Sequence, residues 1–97
     1  MTLPKQIKIG GITFPVEEVE GLAANKDAFG YISFADNKIY IDKHISPERK
    51  ASVLVHEIME GILGSIEIEI EHDKLSAIAH VLHQVMVDNK FSWGNNK

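Results

Sequence analysis

The sequence predicts an α+β domain: a small antiparallel sheet of three to four strands, packed on a buried helix carrying an H-E-x-x-E string and on a second C-terminal helix. Three observations lead there. Short β-branched runs with turn residues between them fill the first 45 positions. Helical periodicity then begins sharply at Ser46, and a second helical stripe begins at His72. The 97 residues suffice for a single domain, 1–97, around one modest core.

Residues 6–12 place Ile7, Ile9 and Ile12 around Gly10-Gly11, a pair suited to a tight hairpin. Thr13-Phe14-Pro15-Val16 continues extended, and Pro15 points to a sheet edge or a strand end. Residues 17–28 show no clear period and read as a connection. Tyr31-Ile32-Ser33-Phe34 and Lys38-Ile39-Tyr40-Ile41-Asp42 flank Ala35-Asp36-Asn37, and Asp and Asn tolerate the left-handed conformations of a hairpin turn. Within the second of these runs, Ile39 and Ile41 share one face and Tyr40 and Asp42 the other.

Ser46 is a good N-cap, Pro47 suits the first helical position, and Glu48 places negative charge in the first turn. The Leu54, Ile58, Ile62 row marks a buried stripe, and Gly64 is the expected stop. Residues 65–71 alternate Ile66, Ile68, Ile70 with Glu67, Glu69, Glu71, the pattern of an edge strand with a charged outer face or of an extended linker pinned by its isoleucines. Residues 72–89 form the second helix, with Leu75, Ile78, Ala79, Leu82, Val85 and Met86 on one stripe. Residues 91–97 are a polar tail anchored by Trp93.

Composition removes several function classes. A formal net charge of −4 gives no bulk attraction to nucleic acid or anionic lipid. The absence of cysteine excludes disulfides, thiolate metal sites and thiol catalysis. No apolar run approaches the roughly 20 residues of a membrane span. The N-terminal residues lack the apolar stretch of a signal peptide, so a cytoplasmic protein is the expectation.

Five histidines are the notable asset. His56 and Glu60 stand four apart in the first helix, so their side chains stack on one face. That is the spacing with which H-E-x-x-H helices hold zinc, and zinc accepts carboxylate oxygen as well as imidazole nitrogen. Catalytic zinc commonly takes three protein ligands, His₂Glu among them. A further imidazole completes this set; His72 is the first candidate, from an antiparallel second helix, and His80 the second. Glu57 then takes the role of general base. The competing interpretation is a solvated His/Glu pair. Against it, His56, Glu57 and Glu60 sit among Val53, Leu54, Val55, Ile58, Met59, Ile62 and Leu63, where charge is costly unless paired. Gly61 and Gly64 also leave room beside the group for another segment. His83, flanked by Leu82 and Val87, reads as a boundary residue, and His44 as a loop residue.

The run Asn37-Lys38-Ile39-Tyr40-Ile41-Asp42-Lys43-His44-Ile45-Ser46-Pro47-Glu48-Arg49-Lys50, followed by Val53-Leu54-Val55-His56-Glu57-Ile58, resembles small phage and prophage proteins with a zinc-peptidase-like helix. These are distantly similar to the ImmA/IrrE metallopeptidases and the minimal gluzincins. Glu71-His72, Leu75-Ser76 and Leu82-His83-Gln84-Val85-Met86-Val87-Asp88-Asn89 are similar to the second half of those proteins, so the resemblance spans roughly residues 5 to 90. It implies an antiparallel sheet on an active-site helix with a further helix behind. It also implies His56, Glu60 and His72 as zinc ligands and Glu57 as base. The sequence departs from the peptidase pattern at Glu60, which replaces the second histidine. Two functions are therefore expected: a minimal zinc peptidase acting on a peptide, or a non-catalytic phage protein on the same scaffold that inhibits a host protein. In the second, the carboxylates of Glu17, Glu18, Glu20, Glu67, Glu69 and Glu71 engage a basic partner.

Overall fold

The computed structural model describes residues 2–22 and 28–94. Four strands and two long helices organise them: β1 (Gln6–Ile9), β2 (Ile12–Val19), β3 (Gly30–Ser33), β4 (Lys38–Asp42), α1 (Pro47–Ser65) and α2 (His72–Asp88). The α+β class holds.

β1 and β2 form the hairpin expected at Gly10-Gly11. Both glycines have positive φ, 58° and 84°, and Ile9 pairs with Ile12 across the turn. β3 and β4 form the second hairpin, with Asn37 left-handed at φ 54° and Ser33 opposite Lys38. The sheet order is β1-β2-β4-β3. It is a mixed sheet rather than the purely antiparallel one expected, because β2 and β4 run parallel, Val16 beside Ile39 through Val19 beside Asp42.

That parallel pairing corrects two local expectations. Residues 17–19 are strand, not connection, and the Glu17–Lys38 ion pair at 3.1 Å braces the join. Residues 23–27 of the expected connection lie outside the described residues, as do residues 95–97 of the expected tail. Pro15 is not on an outer strand. It sits where β2 changes partner: Ile12 to Pro15 pair with β1, and Val16 to Val19 with β4. A missing N–H is tolerated at such a changeover, and Val16 resumes the ladder by donating to the Lys5 carbonyl at 2.9 Å.

Ser46 caps α1 as its chemistry suggests, its hydroxyl accepting from the Arg49 N–H at 3.1 Å, with Pro47 in the first turn. Gly64 does not stop the helix. It stays helical through Ser65, and the left-handed residue that turns the chain away is Glu67, φ 55°. The core joins Ile9, Phe14, Ile39 and Ile41 of the sheet to Leu54 of α1, with Trp93 packed against it as an anchor.

Two glycines set the distance between layers. A Cβ at Gly61 would lie 2.7 Å from the Ile9 side chain and 2.9 Å from that of Ile32, so the helix rests directly on the sheet there. At Gly30 a Cβ would lie 2.5 Å from Val53 Cγ1 and 2.9 Å from the Tyr40 carbonyl oxygen. The second contact is backbone and cannot swing aside. Gly30→Ala is therefore expected to destabilise the protein by about 1–3 kcal/mol, the ordinary cost of overpacking. Urea unfolding of the two proteins measures it, and equal midpoints would show that β3 and α1 are not this close.

Residues 66–71 pair with no strand, and Ile66, Ile68 and Ile70 are exposed, so the segment is a linker that its isoleucines do not pin. Alternation alone does not make a strand where no sheet edge is within reach.

Candidate functional site

α1 turns its middle toward β3 on one side and toward the start of α2 on the other. Helical spacing places His56 and Glu60 on one face, while Glu57 turns inward. Glu57 is only 6% exposed, and its carboxylate accepts a hydrogen bond from the Ile32 backbone N–H of β3. Burial, and then the neighbouring charge of Glu60, push its pKa up to about 7. His56 is half-buried. Burial first holds its pKa below the ordinary imidazole value, Glu60 opposes that shift, and His72 adds to it.

The linker after α1 carries the chain back along the helix, so α2 begins beside the middle of α1 rather than beside its end. The His72 ring lies 5.1 Å from the His56 ring, centre to centre, with the planes at 56°. The residues expected to act together thus lie around one open cleft of about 810 Å³, lined by His56, Glu57, Glu60 and His72 and also by His80 and His83. β3 forms the opposite wall with Tyr31 and Ile32, and Arg49 closes one side with its guanidinium 4.8 Å above the Phe29 ring.

The donor set suits zinc in chemistry: imidazole nitrogens, a carboxylate and no competing thiolate. Two imidazoles bound to one tetrahedral zinc at about 2.1 Å have ring centres roughly 5 Å apart. The His56–His72 separation matches that value. Among the described residues, no three imidazole or carboxylate groups yet converge on one point. The imidazole pair stands close, and the Glu60 charge acts on His56.

Comparison with family models, curated proteins and solved structures finds no match.

One participant was missed in the sequence. His83 is not a boundary residue: it is 8% exposed, its Nε2 has no hydrogen-bond partner, and it lines the same cleft. The misleading signal was the apolar stripe. Leu75 and Ala79 are buried as expected, but Ile78, Leu82 and Val85 are exposed, because α2 is rotated so that His83 shares the inward face with Leu75 and Ala79. The 75, 79, 83 row, four apart, was the available clue. His44 is an exposed loop side chain 3.4 Å from Glu20.

Proposed function

We propose that this chain is a minimal zinc-dependent hydrolase acting on peptide bonds, of the kind its first helix and C-terminal half resemble. The observation that supports it most is the 5.1 Å His56–His72 ring separation above a buried carboxylate. His56 and His72 would hold zinc, with Glu60 as third ligand once its side chain turns toward the pair. Bound zinc supplies a Lewis acid that polarises a carbonyl and acidifies water. Glu57 does the proton work. Its raised pKa makes it a stronger base than an ordinary carboxylate, and the Ile32 N–H fixes its orientation. The cleft between α1, α2 and β3 takes the substrate, and its open side suits an extended peptide. No described helix is long and apolar enough to cross a membrane, and we place the protein in the cytoplasm, that of the host if phage-encoded.

Zinc competition against a chromophoric chelator tests the site. The wild-type chain is expected to bind one equivalent, and His56→Ala and His72→Ala each to weaken it by roughly 100-fold, about a fifth of the free energy of a tight site. His80→Ala is expected to leave affinity unchanged. Equal affinity in all four proteins would remove the centre.

A second interpretation draws support from the linker. Glu67, Glu69 and Glu71 are exposed, on a segment that pairs with no strand. In a zinc-holding protein without turnover, this row would engage a basic host protein. Reversing its three charges would then abolish partner binding, while Glu57→Gln would have no effect.

A further inference from the structure

α2 carries an apolar face that the domain itself does not use. Ile78, Val81, Leu82 and Val85 are 50%, 56%, 39% and 43% exposed. They recur at i, i+3, i+4 and i+7, a continuous stripe on one side of the helix. The stripe is separate from Leu75, Ala79 and His83, which face the rest of the domain. Single exposed apolar residues are ordinary, but four on one stripe mark a surface that is covered when the protein works.

The stripe says what covers it. It is symmetric about the point between Val81 and Leu82. Laid against its own reversed copy, it sets Ile78 against Val85 twice over, with the two Val81 side chains meeting on one flank of the axis and the two Leu82 side chains on the other. The flanking charges follow the same symmetry. Lys74 before the stripe and Asp88 after it lie on the same side of the helix, both exposed. In a reversed pair, residues on the same flank meet, so Lys74 of one copy faces Asp88 of the other. Within one chain, Lys74 makes only a loose, highly exposed pair with Glu71 at 3.6 Å. A parallel pair would instead set lysine on lysine and aspartate on aspartate, with the helix dipoles aligned.

We infer that this face is the two-fold interface of a homodimer, in which α2 packs antiparallel against α2 of a second copy. The inference does not depend on the metal centre, whose residues lie on other positions of the helix.

Sedimentation velocity of the full chain from about 1 to 100 μM, a range that brackets ordinary homodimer affinities, is expected to show a species of twice the 10.8 kDa chain mass. Val81→Glu is expected to give the single-chain mass with an unchanged circular dichroism spectrum. Lys74→Asp should weaken the dimer several-fold, and Lys74→Asp combined with Asp88→Lys should restore it. Because the chain has no cysteine, oxidation reads the register directly. A mixture of Ile78→Cys and Val85→Cys proteins should cross-link, and Ile78→Cys alone should not. Cross-linking of Ile78→Cys alone means a parallel pair and overturns the proposal. So does a wild-type chain that stays monomeric throughout, and equally a monomer that floats with phosphatidylcholine vesicles, which would assign the stripe to a lipid surface.

Discussion

Metal-free Glu57→Gln is expected to be more stable than the wild-type protein at pH 8, by up to about 3 kcal/mol, and to match it near pH 4. The sign follows from proton linkage. The carboxyl titrates at about 7 in the folded chain against 4.5 when unfolded, so between these values the folded state holds the extra proton. Wild-type stability from this group is fully present below pH 4.5 and is lost as pH rises through about 7. Each pKa unit is worth about 1.4 kcal/mol, which sets the size. Three features around Glu57 fix the direction: burial against β3, the Glu60 charge on its own helix, and the Ile32 N–H, which opposes both but is outweighed. The remaining titratable groups of the cleft are His56, His72, His80, His83, Tyr31, Glu48 and Arg49. Glutamine keeps an acceptor for the Ile32 N–H and removes the charge. Chemical denaturation of both proteins at pH 4, 6 and 8 checks it. Parallel stability curves would mean that Glu57 ionises normally and is not buried as described.

The same substitution is expected to remove turnover while leaving zinc bound. If Glu57 is the base of a hydrolase, Glu57→Gln should cut kcat for a cleavable peptide by about 10²–10⁴-fold, the usual worth of a positioned general base. Zinc affinity should change little, since Glu57 is not among the ligands. The two measurements separate chemistry from metal binding: loss of both would place Glu57 in the coordination set, loss of neither would remove Glu57 as the base, and a wild-type protein that binds zinc without cleaving peptide would favour the non-catalytic interpretation. Together with the stability gain, the expected pattern is that of a costly buried charge retained for its reactivity.

Much of this site was legible before any coordinates. The four-residue spacing of His56 and Glu60 requires only that α1 be a helix, and Ser46, Pro47 and the apolar periodicity guarantee that. The inward turn of Glu57 was not legible: the expected stripe was Leu54, Ile58 and Ile62, but Ile62 is exposed and the packed face instead includes Leu54, Glu57 and Gly61. His72 was reachable as a candidate because few imidazoles exist and the linker is short. His83 was not, since hydrophobic periodicity assigned its helix the wrong inward stripe. Two apolar stripes compete on α2, and only packing decides which one the domain buries.

What the sequence determined by itself is local: two turn-closed hairpins, the capped helix α1 and the helical phase of its ionisable residues. These depend on backbone preferences and on neighbours a few positions apart, which are written into the chain. The tertiary structure alone decided the parallel β2–β4 pairing, the return of residues 66–71 that brings His72 to His56, and the rotation of α2. Each of those joins residues distant along the chain. Their outcome is set by which surfaces bury the most apolar area when the layers close at Gly30 and Gly61, a competition that no local pattern records.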